Sequence, residues 1–351
     1  CTALLVTGFG LRDSIGDIAS KQYNELTLYN LDITVNKPDE ADILALEEFA
    51  DSGAVTDYMS VHSDYGKVKA NGDSYDIYIT VPEDETRFDD FMVLRERRGK
   101  KPLEFGGSSV ILTEKVASLL EVSVGDSVEL ETSDGDTASF IVTGITENYV
   151  MSYAYLTESV FTEGFGFEPE YTHIWAKSVA NTTELEDTQT TELLSLDCVE
   201  SVSFTSSMSD SFETMLSKID YIVVVLIICA GLLVFVVLYN LTNINIAERE
   251  KELATIKVLG FYDSEVAAYV YRETVALSII GTIAGLLLGI LLHRFVILTA
   301  EVSSIMFGRT IYAWSYIFSA LITLVFSAIV CLFMSKRLHD IDMVDSMKAV
   351  D

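Results

Sequence analysis

Residues 219–241, IDYIVVVLIICAGLLVFVVLYNL, decide the fold class of this 351-residue chain, because they form a long apolar run that is almost free of charge. Two further runs, TVALSIIGTIAGLLLGILL at 274–292 and YAWSYIFSALITLVFSAIVCLFM at 312–334, contain no charged residue. A bilayer core about 30 Å thick needs roughly 20 helical residues, so each run is long enough to cross it. The sequence therefore predicts three complete transmembrane helices, at 219–241, 266–292 and 312–335.

The first ten residues, CTALLVTGFG, are apolar as well, but too few to cross a bilayer. We interpret residues 1–10 as the outer end of a truncated transmembrane helix. The alternative is a processed lipoprotein whose mature chain begins at a lipid-modified Cys1. Neither this cysteine nor the other three have the spacing of a disulfide framework or a metal site.

The charge is distributed very unevenly along the chain. Residues 1–218 hold 14 Lys and Arg against 41 Asp and Glu, whereas residues 219–351 hold 9 against 12. The first part is typical of an acidic aqueous domain and the second of a membrane region. So acidic a domain repels anionic surfaces, which argues against a nucleic-acid partner, and attracts cations or cationic peptides. The alternative is that the charge merely keeps the domain soluble.

Positive residues in the short loops predict the orientation. Residues 242–265 and the tail 336–351 carry three Lys or Arg each, and the loop 293–311 carries two. The positive-inside rule then places the first two segments in the cytoplasm. We therefore expect a multi-pass protein of the cell membrane, with residues about 11–218 and the loop 293–311 outside the cytoplasm.

Patterning divides the aqueous part into two stalk helices and a domain. Helical spacing of apolar residues predicts stalks at 11–28 and 206–218. Between them, strand–helix–strand patterns near both ends predict one α+β sheet domain, 29–205, with an inserted lobe at about 64–170. The basic stretch RERRGKK, at 95–101, is either a site for an anionic head group or a loop that pairs with nearby carboxylates.

The sequence contains no motif of a catalytic or metal site. The phosphate-binding loop G-x-x-x-x-G-K-[ST] and the patterns H-E-x-x-H, C-x-x-C and G-x-S-x-G do not occur, and the four histidines are far apart. We therefore expect no metal, no cofactor and no catalytic residue. Work done by this protein would need energy from elsewhere.

A charged amphipathic helix follows the first complete span. In IAEREKELATIKVLG, residues 246–260, small and apolar residues form one stripe and balanced charges occupy the other faces. Gly260 is placed to end the helix, and Asp263 or Ser264 to cap the next one. A helix on a lipid surface would need a stronger apolar face and more Lys and Arg. The pattern favours a protein groove; the alternative is a solvated helix without a partner.

The stretch NINIAEREKELATIKVLGFYDSEV, 243–266, followed by a glycine-rich span, resembles the FtsX-like permease family, the membrane subunits of MacB-type ABC transporters. The tail KRLHDIDMVDSMKAVD and the stretch SSVILTEKVASLLEVSVGDSVELETSDGDTASFIVTGITEN are similar to it too. The resemblance implies four spans and a large external domain after the first. It also implies a separate ATPase that binds ATP and moves the external domain. Some members are long chains with two such halves, so a second permease half or copy and membrane lipid are expected partners.

The resemblance assigns roles to two groups of residues. The cytoplasmic helix would dock into the ATPase through Glu248, Glu252, Leu253, Ile256, Lys257, Leu259 and Gly260. In the next span, two overlapping G-x-x-x-G motifs are expected to serve helix packing, at Gly281, Gly285 and Gly289. The implied function is export or extraction of a lipid, lipoprotein or peptide, or control of an external partner, by a subunit that is not itself an enzyme.

A membrane receptor, whose external domain signals through the stalk helices, is the competing interpretation. It explains the stalks equally well. It also predicts a cytoplasmic output domain, whereas only fourteen residues follow Arg337. A channel is disfavoured because the predicted spans have no polar stripe to line a pore.

Overall fold

The computed structural model describes residues 1–38, 40–249, 252, 255–256 and 259–339. It forms two compact units. The membrane unit contains residues 1–15, 216–300 and the chain from 309 onward, and the sheet unit contains residues 16–215 and 301–308. Two of the predicted docking residues, Leu253 and Lys257, lie outside the described residues, as does the tail from 340.

Eight α-helices have both bounds within the described residues: α1 (Thr2–Ser20), α2 (Glu40–Phe49), α3 (Glu114–Leu119), α4 (Glu158–Phe165), α5 (Thr183–Leu193), α6 (Thr205–Glu248), α7 (Asp263–Ala300) and α8 (Ala313–His339). Three of them are long and apolar enough to cross a membrane, over Asp220–Ile244, Arg272–Ala300 and Ala313–Phe333. The three spans that the hydropathy predicts are therefore present.

The predicted stalks differ in form. Helix α1 is followed directly by a π-helical turn, Lys21–Leu26, so the first stalk changes its winding before the sheet begins. The second stalk is not a separate helix, because residues 206–218 lie within α6, which starts immediately after the last strand.

Ten strands make up the single sheet of the sheet unit: β1 (Leu31–Val35), β2 (Val55–Ala70), β3 (Asp73–Pro82), β4 (Val110–Thr113), β5 (Ser127–Glu131), β6 (Thr137–Ile141), β7 (Gly144–Thr146), β8 (Tyr153–Leu156), β9 (His173–Ser178) and β10 (Val199–Phe204). Their order is β10-β1-β9-β2-β3-β8-β4-β7, and β5 pairs with β2 and β6. Strands from both ends of the domain are thus neighbours, which confirms the prediction of one α+β sheet.

The inserted lobe extends this sheet because β2 is unusually long. Its first half pairs with β9, and its second half pairs with β3 and β5. The β2–β3 hairpin turns at Asn71 and Gly72, which both have positive φ, as a two-residue type I′ turn requires. A second hairpin joins β5 and β6 and turns at Asp134 and Gly135. Thr113 precedes α3 but does not cap it, since its hydroxyl accepts a hydrogen bond from the Tyr153 amide.

Alternating burial produces the core. In β1, Leu31, Ile33 and Val35 are buried on one face and the residues between them are half-buried. This face packs against Phe49 of α2 and Leu193 of α5. A separate cluster fills the inserted lobe, and a third, around Phe88, Tyr155 and Trp175, lies between them in the sheet unit.

Candidate coupling site and the contacts that position it

The turn between α6 and α7 is the described part of the predicted docking segment. Gly260 has φ +94°, a conformation that side chains with a Cβ rarely adopt. The Phe261 amide donates to the Ile256 carbonyl at 3.5 Å, and the Leu259 amide donates to Thr255 at 3.1 Å. The first bond closes over the glycine as in a Schellman motif. The helix containing Ile256 therefore ends at Gly260, where the sequence places its stop.

At the start of α7, the Glu265 side chain bonds back to the residue before the helix. The Tyr262 amide donates to Glu265 Oε2 at 2.9 Å, and the Glu265 amide donates to the Tyr262 carbonyl at 2.9 Å. A Glu at the third helical position that reaches back to the cap residue is half of a capping box. With caps on both sides, the turn 259–262 is held in one conformation.

This turn presents large apolar side chains to its surroundings. Leu259 is 73% exposed, Phe261 52% and Tyr262 77%, while Ile256 is half-buried. The predicted orienting residues Glu248 and Glu252 are exposed. Sequence reasoning missed Tyr262, although a run of large apolar residues directly after a helix-ending glycine was a visible signal.

An ion pair joins the two helices next to this turn. Arg249, one residue beyond α6, lies 3.0 Å from Glu273 of α7, and both side chains are about half exposed. An exposed pair of this kind contributes at most about 1 kcal/mol. It connects the chain just after α6 to α7 on one side of the turn.

Two of the three glycines in the G-x-x-x-G motifs bring α7 against α1. A Cβ on Gly285 would lie 2.5 Å from the Thr2 Cβ, and one on Gly289 would lie 2.6 Å from the Val6 Cβ. Gly281 has no such neighbour within 4 Å of its Cβ position. The apolar segment 1–10 thus lies in α1 and packs on a span within the membrane unit.

We expect Gly289→Leu to disrupt this packing, because its Cβ would already collide with the Cβ of Val6, which α1 holds in place. Overpacking of this kind costs about 1–3 kcal/mol. The measurement is the denaturant concentration at which the detergent-solubilised chain loses its native mobility in semi-native electrophoresis. Gly281→Leu is the matched control and should leave the midpoint unchanged. Equal shifts for both variants would contradict the assignment.

Polar contacts join the outer end of α1 to the other membrane helices. Asp13 accepts hydrogen bonds from the Tyr312 amide at 3.0 Å and the Ser315 hydroxyl at 2.6 Å. The Ser14 hydroxyl lies 3.0 Å from His293 Nε2, and Arg12 forms an ion pair with Asp220 of α6. Because these groups belong to α6, α7 and α8 or the residues just before α8, they define the position of α1 in the bundle.

In the sheet unit, the loop after α7 docks on residues 149–151. The Met151 amide donates to the Ser304 carbonyl at 2.7 Å, and the Met306 amide donates to the Tyr149 carbonyl at 2.9 Å. Glu301 anchors this loop. Its Oε2 lies 2.9 Å from Lys115 Nζ and its Oε1 accepts from the Phe307 amide at 2.8 Å. The side chains of Lys115 and Glu301 are only 10% and 4% exposed.

Residues 147–151 are also bonded, directly or through Arg95, to the first stalk. Gln22, in the π-helical turn, accepts a hydrogen bond from the Tyr149 amide at 2.9 Å. Arg95 lies 2.7 Å from Glu147 and 2.6 Å from Glu25. Segment 147–151 is therefore the place where the chain after α1 and the loop after α7 are bonded to the same strand-like stretch. We call residues 147–151 and 301–307 the outer-loop junction.

The basic stretch 95–101 pairs with carboxylates. Besides Arg95, Lys100 contacts Glu25 at 3.0 Å, and Arg97 makes two hydrogen bonds of 2.7 Å to Glu114. The hydrogen bonds from Arg95 and Lys100 lower the pKa of Glu25, so this carboxylate stays ionised. The structure thus supports the carboxylate-pairing interpretation of the stretch over the head-group site. No cluster of three or more metal-type ligands occurs among the described residues.

The chain is similar to one protein family and to several solved structures. Residues 224–342 match the family profile described as FtsX-like permease C-terminal. The periplasmic region of MacB from Actinobacillus actinomycetemcomitans is similar at 14% identity and TM-score 0.33, over 56% of this chain and 97% of that one. The extracellular domain of the noncanonic ABC-type transporter YknZ from Gram-positive bacteria is similar at 13% identity and TM-score 0.32, over 50% and 99%.

A domain of a putative permease protein from Porphyromonas gingivalis is similar at 11% identity and TM-score 0.27, over 50% of this chain and 87% of that one. No curated protein matches the chain. The spans and the family match make the chain a multi-pass membrane protein with an extracytoplasmic domain. The match to FtsX-like permeases covers residues 224–342, which contain nearly all of the three membrane spans.

Proposed function

We propose that this chain is the permease subunit of an ABC transporter and that a separate ATPase docks on the turn between α6 and α7. The observation that carries the proposal is the exposed apolar turn 259–262, capped on both sides. Apolar and aromatic side chains at the centre of an interface supply most of its binding free energy, and charges at the rim supply much less. Leu259, Phe261 and Tyr262 fit the first role, and Glu248 and Glu252 fit the second.

Helix α6 offers a path for the movement. It is one continuous helix of 44 residues, about 66 Å long at 1.5 Å per residue. Its last residue, Glu248, precedes the docking turn, and its first, Thr205, follows β10. A displacement imposed by the ATPase on the turn would therefore be carried along α6 to the sheet unit. ATP is bound by the partner in this scheme, and this chain contributes no catalytic group.

The object on which the protein acts would be handled at the extracytoplasmic domain or the outer leaflet, not in a continuous pore. The three candidate spans support this proposal, because the most apolar 18-residue stretch of each holds at most two charged residues. The classes that suit such a mechanism are a lipid, a lipoprotein or a peptide that is exported or extracted. Control of an external partner protein would use the same movement.

Aspartate in place of either apolar residue at the turn tests the docking. Ile256→Asp or Leu259→Asp should abolish co-purification of the chain with an ABC-type ATPase encoded beside it, because losing an interface anchor costs about 2 kcal/mol or more. Leu253→Asp should act in the same way. Glu248→Ala should weaken recovery only modestly, and more at low salt than at high salt, because salt screens exposed charges.

The matched control is Leu185→Asp, which places the same change at an exposed leucine of α5. It should leave ATPase recovery at the wild-type level, and all variants should reach the membrane in equal amounts. If the ATPase co-purified at the wild-type level with both Ile256→Asp and Leu259→Asp, the docking would be refuted and the receptor interpretation favoured.

A further inference from the structure

Helix α2 leaves a cavity of about 400 Å³ over the sheet. Its floor is formed by β1, β2 and β9, and Phe49 and Leu46 of α2 form its roof. We call it the α2 slot. Its lining is mainly apolar and includes Ile33, Ile43, Tyr58, Ser60 and Ile174. A pocket of this size accepts several apolar side chains or one small amphiphile.

An acidic basin of about 680 Å³ adjoins the slot. Ala50, Val55, Tyr58 and Glu83 line both cavities, so the two lie side by side. The carboxylates that line the basin are those of Asp51, Asp57, Glu83 and Asp84.

The two cations next to the basin, Arg87 and Lys177, both pair with Asp57. Arg87, the basic residue of the lining, forms an ion pair with Asp57. Lys177 lies 3.5 Å from the other oxygen of the same carboxylate. The remaining carboxylates make the basin negative, and the slot beside it is apolar.

The rim of the slot also carries both apolar and acidic side chains. Ile43 and Leu44 of α2 are 46% and 64% exposed. On the same helix, Glu40 and Glu48 are exposed as well, and Asp42 is half-buried. The surface of α2 next to the slot therefore presents both apolar and acidic side chains.

We propose that the α2 slot and the acidic basin bind a cationic amphipathic peptide. Its apolar side chains would enter the slot, and its Lys or Arg side chains would lie in the basin. Charge complementarity selects this occupant: the whole chain has a net charge of −30, so a second copy or an anionic ligand is repelled. A purely hydrophilic cation would leave the apolar slot unfilled.

This inference deepens the proposed function by naming the chemistry of the external partner. Binding is measured without an ATPase, so its failure is distinguishable from a failure of the docking at the α6–α7 turn. The site lies within the sheet unit, and its lining residues are separate from those of the outer-loop junction.

The experiment uses the full chain in nanodiscs of zwitterionic lipid and a fluorescent 14-residue peptide of Leu and Lys arranged as an amphipathic helix. Anisotropy with empty nanodiscs is subtracted. We expect saturable binding by the wild type. A Ser/Lys peptide of equal charge and a Leu/Glu peptide of equal apolarity should each bind at least about tenfold more weakly, a loss of about 1.4 kcal/mol.

Ser60→Phe tests the slot. Ser60 lies on β2 opposite Ile174, with which it lines the cavity, and strands accept aromatic residues readily. The phenyl ring would fill the slot, so affinity should fall at least about tenfold. The matched control, Ser139→Phe on the exposed side of β6, should bind the peptide as the wild type does.

Asp51→Asn combined with Glu83→Gln tests the basin without filling the slot. Affinity should fall several-fold at low salt and less at high salt. Asp73→Asn with Asp134→Asn removes the same charge at two hairpin ends and should have no such effect. Wild-type affinity in Ser60→Phe, or equal affinity for the Ser/Lys peptide, would overturn the proposal. So would concentration-dependent dimerisation of the chain that Ser60→Phe abolishes, because the occupant would then be a second copy.

Discussion

Replacing Lys115 with methionine is expected to open the outer-loop junction. Lys115 is the cation next to Glu301, and both side chains are almost fully buried. Removing one partner of a buried ion pair typically costs about 3–5 kcal/mol, because the other charge stays buried without compensation. The loop 301–307 is held by Glu301 at its start, so this loss should release the hydrogen bonds of Met151 and Met306.

Hydrogen exchange of these two amides in the full chain measures the effect. A local loss of about 3 kcal/mol corresponds to exchange that is faster by more than about 100-fold. Lys69→Met is the matched control. Its partners, Glu129 and Glu131, are partly exposed, with side chains 45% and 26% accessible, so its cost should stay near or below about 1 kcal/mol.

The double variant Lys115→Met/Glu301→Met separates the charge from the packing. Two apolar side chains of similar length often replace a buried pair with little loss, so most of the protection should return. If Lys115→Met and Lys69→Met have equal effects, the buried pair does not hold the loop. If the double variant exchanges as fast as the single one, the stabilisation comes from the hydrogen bonds of Glu301 alone.

Gly66→Ala is expected to detach the β5–β6 hairpin from β2. A Cβ at this position would lie 2.0 Å from the carbonyl oxygen of Glu131. That oxygen belongs to the backbone of β5, which pairs with β2 at the neighbouring residue, Lys67. Neither backbone can move without breaking ladder hydrogen bonds, so glycine is required for the close approach of the two strands.

We expect a loss of about 3 kcal/mol, the upper end of the range for overpacking. Pulse proteolysis of the full chain, followed at the 127–141 hairpin, measures it. Gly144→Ala is the matched control, because its Cβ would meet the Ile111 side chain at 3.3 Å and a side chain can shift. Equal protease sensitivity of the two variants would show that β5 does not depend on the contact at Gly66.

The sequence by itself determined the features that depend on one stretch of chain. An apolar run of about 20 residues is stable only where it is removed from water, in a bilayer or a protein core. The positions of the spans could therefore be predicted from length and hydropathy. Alternation and turn residues predicted the strand–helix–strand patterns near both ends of the domain. Gly260 was recognisable as a helix stop because only a residue without a Cβ adopts its backbone conformation readily.

Only the tertiary structure decided which distant residues meet. Glu301 reaches Lys115 across 186 positions, and neither residue carries a local signal of that pairing. The three glycines of α7 look alike in sequence, yet Gly285 and Gly289 face α1 and Gly281 does not. The partners of the basic stretch 95–101 were equally open, because a charged loop can be solvated or paired. The physical reason is the same in each case. The free energy of burying or pairing a side chain depends on both segments that come into contact. A local sequence pattern describes only one of them.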